Sequence, residues 1–424
     1  MAAKEPSVES GPSSSPMQGA GSEEQEQSAI RQYPDTLPEA AEIDPERQRS
    51  AQEYTRLRHR LMLIDLGLAA LFLLVLLGTK LSIGLRDALA TTGAWQPIAH
   101  WAPLHIGLYF CLLLIVYQVL DAPLSYYSGY VLPHRYRLSH QSLASWLADQ
   151  TKGLVLGLLF ELAAVEFLYL LLAVQPTLWW LWAAIALLLV SVVLANLAPV
   201  LILPLFYKLT PLNDEELSQR LLALAERANT RVRGVFTMNM SRKTSTANAA
   251  LMGLGNTRRI VVGDTLLGAY TPDEIEVVLA HELGHHVHHD IWKLIITQAI
   301  LGLGGLYLVN LGLHWAVETR HFYLALTDVA AMPLIALALG LFGLITMPLG
   351  NSFSRLVERQ ADEYALQTTR QPDAFISAMT RLANQNLAEL EPGPIVEFLL
   401  YDHPAIGKRL KHAERFKLKS RIAD

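Results

Sequence analysis

The chain has 424 residues, of which 52% are hydrophobic and 17% charged, and its formal net charge is -5 at pH 7. A soluble domain carries roughly 25% charged residues, so this is the composition of a membrane protein. A single cysteine, Cys111, excludes a disulfide framework and any cysteine-based zinc or iron–sulfur centre, and the lack of a dense Lys/Arg block excludes a nucleic-acid footprint.

Residues 1–48 are rich in Ser, Glu, Gln, Pro and Gly without apolar periodicity, which predicts a disordered polar tail. Its first ~30 residues hold no apolar segment of signal-peptide length. A basic patch (Arg47, Arg49, Arg56, Arg58, Arg60) then precedes six apolar runs, each near the ~20 residues that a membrane crossing needs. They run from Leu61 to Thr79, Ala102 to Leu120, Gly153 to Val174, Leu178 to Phe206, Ile291 to Val317 and Thr327 to Gly350. The first four form an N-terminal membrane domain over 49–206, and the last two occupy 291–350. Trp95, Trp101, Trp179, Trp180 and Trp315 fall near span ends, where an interfacial aromatic belt would place them. Arg56, Arg58 and Arg60, then Arg135, Arg137 and Lys152, then Arg355 and Arg359 mark alternate loops as cytoplasmic, with both termini on that side.

The polar stretch 207–290 is then cytoplasmic too, and it reads as a small α+β domain. Leu217 to Ala228 has helical spacing, Val232 to Met238 and Arg259 to Val262 are short β-rich runs, and Pro272 to His289 resumes helix behind an N-cap at Thr271. Residues 351–424 are expected to be cytoplasmic helices that complete a site with this domain.

That last helix contains His281-Glu282-Leu283-Gly284-His285. Residues four apart share a helix face, so both imidazoles can reach one zinc ion, while Glu282 can act as general base on an activated water. A catalytic zinc needs a third protein ligand. Glu358 follows the cytoplasmic end of the sixth span, and antiparallel neighbours joined by a short loop bring it to the HExxH helix. Asp362, four residues on, shares its face and suits the free N–H of a ligating His.

Taken with these residues, Pro204 to Leu212, Asn248-Ala249, Arg258 to Leu267, His403-Pro404 and Arg409-Leu410 resemble the integral-membrane zinc endopeptidases of the type I CAAX prenyl protease family, to which HtpX-type quality-control proteases are shorter relatives. The resemblance spans roughly Tyr126 to Leu410. It implies zinc ligation by His281, His285 and Glu358 and catalysis by Glu282. It also implies an edge strand at Asn248 and Ala249 that pairs with substrate backbone. His403 and Arg409 would stand beside the metal, to stabilise an oxyanion or a substrate carboxylate. The loop Tyr130 to Gln141 departs from the family's acidic signature, and six spans stand where eukaryotic members have seven.

The expected molecule is therefore an all-α polytopic membrane protein of about six transmembrane helices with a small cytoplasmic α+β zinc-metalloprotease domain. It would bind one zinc per chain and hydrolyse peptide bonds of membrane-associated or prenylated proteins. Its expected place is a bacterial cell membrane, or the endoplasmic reticulum of a eukaryote. The partners are the bilayer and a peptide or protein substrate, lipidated or not; nucleic acid is not among them. An HtpX-like quality-control protease is the alternative, and a catalytically silent scaffold would be expected to have lost Glu282 or a ligand. Asp65, His105, Glu161, Glu166, Asn310 and His314 fall inside spans, where each must face an aqueous chamber or pair between helices.

Overall fold

The computed structural model describes residues 41–91, 102–253 and 255–423. Most of the predicted tail, with Trp95 and Trp101, lies outside them. The tail's expected boundary at Gln48 is too late: helix α1 (Pro45–Gly78) starts earlier because Asp44 accepts from the backbone N–H groups of Glu46 and Arg47, an N-cap followed by Pro at N1.

Helix α2 (Leu81–Thr91), too short to span and absent from the sequence-based expectation, follows a turn at Thr79 and Lys80. Then come α3 (Ala102–Tyr126), a π-helical segment to Val131 and α4 (Leu132–Arg135), followed by α5 (Leu143–Val174) and α6 (Trp179–Leu197). Four strands and three helices make up the polar insertion: β1 (Leu209–Pro211), α7 (Glu215–Arg227), β2 (Val235–Met238), β3 (Ala249–Met252), β4 (Arg259–Gly263), α8 (Asp264–Leu267) and α9 (Pro272–Val287). The chain returns to the membrane through α10 (Asp290–His314) and α11 (Met332–Thr369), and ends in α12 (Pro372–Asn386), α13 (Pro394–Leu400) and α14 (Ile406–Ala423).

Among the described residues, 6 helical stretches are long and apolar enough to cross a membrane. Their helices form a closed ring in the order α1, α3, α5, α6, α10, α11, with α11 packing back on α1. The apolar windows of the first four are at most 11% buried, and that of the fourth is 0% buried, so most of their apolar surface is left outside the protein core. Several intramembrane polar groups pair across helix seams: Trp179 donates to Asn310 Oδ1 at 2.7 Å and Tyr117 to Asp65 at 3.1 Å. Trp179 is therefore fully buried and not part of an interfacial belt. His314 meets Glu318 on its own helix at 2.8 Å, whereas Glu161 is exposed.

The sheet order is β1-β2-β4-β3, with β2 and β4 parallel and both outer pairings antiparallel. One apolar core joins this sheet to α7, α9 and the post-membrane helices, through Leu221, Leu224, Ile260, Val262, Leu279, Leu283, Leu366, Phe375 and Met379. Residues 351–424 thus fold together with the insertion. The pieces sit on one end of the helix ring: Arg47 donates to the carbonyls of Asn384 and Gln385, Lys243 pairs with Asp149 at the start of α5, and Asn351 donates to Leu399.

Candidate metal centre and substrate cleft

Thr271 and Glu274 form a capping box that starts α9, so the helix phase carrying His281, Glu282 and His285 is anchored ten residues upstream of the first imidazole. α11 runs unbroken for 38 residues, because no cap or breaker follows Gly350 and Pro348 is accommodated within the helix. This rod carries Glu358 and Asp362 past α9. Gly284 sets how close the two helices come: a Cβ there would lie 3.0 Å from Ala361 Cα and 3.2 Å from its carbonyl oxygen.

The result is a compact donor set. Nε2 of His281 and Nε2 of His285 are 3.2 Å apart, and carboxylate oxygens of Glu358 lie 3.3 Å from each. Glu358 Oε2 is buried without a hydrogen-bond partner, an expensive state for a carboxylate oxygen unless a cation meets it. Ligand atoms at the corners of a tetrahedron with ~2.0 Å bonds stand about 3.3 Å apart, so the three side chains fit a zinc ion without rearrangement. They are also the group of His and carboxylate residues close enough together, among those described, to hold a metal. Burial disfavours charge on His281, but the carboxylates of Asp362 and Glu358 beside it outweigh burial and raise its pKa to about 9; a cation would displace that proton.

Each imidazole has its own carboxylate. His281 Nδ1 lies 2.9 Å from Asp362 Oδ1, and His285 Nδ1 lies 3.1 Å from Asp290 Oδ2. Asp290 is 1% exposed and also accepts from Lys293 at 2.8 Å. The sequence reading missed it because it lies beyond the end of α9, brought back to His285 by His289 in the left-handed region (φ 57°). Its signal was a carboxylate just past a helix break, five residues from a ligand candidate.

Arg409 does not stand in the cleft. It is 8% exposed and forks onto Asp362, Nε at 2.9 Å and Nη2 at 2.5 Å, with Nη2 also 3.4 Å from His281 Nδ1, so it braces the carboxylate behind the first imidazole. His403 is placed otherwise: its Nε2 is 3.2 Å from Glu358 Oε1, its Nδ1 2.9 Å from Asp402, and the ring is half exposed. The Asp402 hydrogen bond raises its pKa against the opposing effect of burial. Burial likewise pushes the Glu282 carboxyl up, with His281 and His285 pulling against it.

A cleft of about 230 Å³ runs beside these groups, between Leu251 and Gly253 on one side and Ile291, Leu294, Ser354 and Val357 of the membrane hairpin on the other, with Glu282, His285 and Glu358 in its wall. β3 bounds it as an edge strand. Gly263 N–H donates to the Asn248 carbonyl at 2.9 Å, so by antiparallel alternation the N–H and C=O of Ala249 and Leu251 face away from β4. Asn248 is exposed, with its carboxamide free of hydrogen bonds among the described residues.

Two family models together cover most of the chain, the N-terminal one being defined by five membrane helices where four helices of spanning length stand among the described residues of its match. A family model described as Peptidase family M48 matches residues 211–417, and one described as CAAX prenyl protease N-terminal, five membrane helices, matches residues 27–208. The chain is 29% identical over 380 residues to the uncharacterized metalloprotease YhfN of Bacillus subtilis, covering 89% of this chain and 87% of that one. It is 31% identical over 311 residues to the CAAX prenyl protease 1 homolog of Arabidopsis thaliana, covering 69% and 70%. With CAAX prenyl protease 1 of Saccharomyces cerevisiae it shares 30% identity over 313 residues, covering 69% and 68%. The crystal structure of S. mikatae Ste24p has the same fold, with a TM-score of 0.78 over 92% of this chain and 93% of that one at 23% identity.

Proposed function

Because the chain belongs to peptidase family M48 and, within it, to the type I CAAX prenyl proteases, we propose that it is a zinc endopeptidase that cleaves near the C-termini of CAAX-type, membrane-tethered proteins. It is an integral-membrane metallopeptidase. The observation that carries the finer reading is the pairing of the donor set with an open strand edge across one cleft.

His281, His285 and Glu358 hold the metal, which when bound polarises the peptide carbonyl and makes water acidic near neutral pH. Glu282 takes the proton of the attacking water and returns it to the leaving amine. Asp362 and Asp290 fix the tautomers of the two imidazoles, and Arg409 holds Asp362 in place. His403, half exposed beside Glu358, donates to the developing oxyanion. Ala249 and Leu251 pair with extended substrate while the free carboxamide of Asn248 clamps its backbone. The cleft's membrane-facing wall of Ile291 and Leu294 suits a chain whose lipid anchor stays in the bilayer. The basic segments Arg56 to Arg60, Arg135 to Lys152 and Arg355 to Arg359 support a cytoplasmic setting for this face.

The test uses purified full-length protein, its zinc content, and a pair of peptides with and without a C-terminal prenyl group. Wild type is expected to hold about one zinc and to prefer the prenylated peptide. Glu282→Gln should keep the zinc and lose turnover, while His281→Ala and Glu358→Ala lose both. Full activity in Glu282→Gln would overturn the mechanism; equal cleavage of both peptides would favour a quality-control clientele.

A further inference from the structure

Strand β3 is open for a short distance only. Since Asn248 faces β4, the preceding residue, Ala247, presents its N–H and C=O to the outer side, in line with those of Ala249 and Leu251. Both groups of Ala247 are taken. Its N–H donates to Asn386 Oδ1 at 2.9 Å, and Asn386 Nδ2 donates to its carbonyl at 3.1 Å. One carboxamide thus makes the two-bond closure that a residue of a neighbouring strand would make. The next turn of chain is covered as well: Gln385 Nε2 donates to the Ser245 carbonyl at 2.7 Å, and Ser245 and Thr244 hydroxyls donate to the carbonyls of Arg137 and Leu138 in the loop after α4.

We propose that Asn386 is a register stop for the substrate: it occupies the edge position next to the Ala249–Met252 window, so an added strand can pair with Ala249 and Leu251 but cannot continue past Ala247. This rests on the peptidase reading and deepens it, because it makes Asn386 a specificity-determining residue for how much chain is tolerated on one side of the scissile bond. A strand reaching the stop must leave the sheet direction, where the end of α12 and the Arg137–Leu138 loop fill the path. At the other end of the window Gly253, with φ +89°, turns the edge strand away, so the asymmetry belongs to the Ala247 end.

The test is a fluorogenic peptide series sharing one cleavage sequence and lengthened residue by residue on either side, assayed with the zinc-loaded full chain. For wild type, kcat/KM should fall about tenfold or more once the extension on one side passes the stop, mainly through KM, and stay level for extension on the other. Asn386→Ala should bring that ratio towards one. Asn386→Asp keeps the acceptor for the Ala247 N–H and the bulk at the edge, and should keep the limit. A wild-type enzyme equally fast on all lengths would overturn the proposal, as would an Asn386→Ala enzyme slowed by the same factor on every peptide, which is the signature of a merely structural residue. Failure of zinc-loaded wild type to cleave any of the series would strike the peptidase reading itself.

Discussion

Gly284 shows how much a single missing side chain decides. The atoms that a Cβ would meet belong to the Ala361 backbone, which cannot rotate aside, so Gly284→Ala forces α9 and α11 apart. Overpacking of this kind costs about 1–3 kcal/mol, and the separation opens the distances from Glu358 to both imidazoles. We expect a lowered melting temperature together with faster zinc loss to a chelator; unchanged zinc retention would show that the ligand set tolerates the shift. Asp290 acts through orientation instead. Asp290→Ala frees the His285 ring, and the affinity for zinc should fall about 10- to 100-fold in a competition titration. The HExxH spacing made the metal site legible in the sequence, since periodicity alone puts both imidazoles on one face. The fork of Arg409 onto Asp362 was not legible, because the two residues are 47 positions apart and only the packing of the last helix on α11 brings them together.

At the level of elements, α11 joins a membrane span to a ligand without a break, so its phase is transmitted along its length. Inserting one alanine between Asn351 and Ser352 turns everything downstream by about 100° and advances it by about 1.5 Å. The variant should still enter the membrane but carry no zinc; full zinc occupancy would mean that the helix absorbs the insertion locally. The spans and the amphipathic α7 were readable because their signals are long runs and a 3.6-residue period. β1 was not, because three residues carry no period and their strand identity comes from pairing Leu209 to Pro211 with Met238 to Phe236. α2 was missed for a related reason: at 11 residues it is too short to announce a span, and its place comes from packing against Tyr109 and from the pairing of Arg86 with Asp328.

At the scale of the whole molecule, the ring places residues of the sheet domain and of the last helix on one face and the α10–α11 loop on the other. Cysteines introduced at Glu226 and Lys419 in a Cys111→Ser background should react with an impermeant reagent from the same side, and one at Leu324, which is 82% exposed, from the opposite side. Reaction of all three from one side would disprove the six-span path. The continuity of α11 also makes it a lever. Inside the membrane it is held against α10 where Phe342 fills the gap left by Gly305, and Glu358 lies sixteen residues further on, about 24 Å along the axis. Tilting the rod by two degrees about that fulcrum would sweep the carboxylate by about 0.8 Å, enough to spoil ligand distances that must hold to ~0.2 Å. Hydrophobic mismatch with the bilayer biases such tilts, so acyl-chain length becomes a dial on the hydrolytic rate: turnover in vesicles should peak at one lipid length and decline on either side of it.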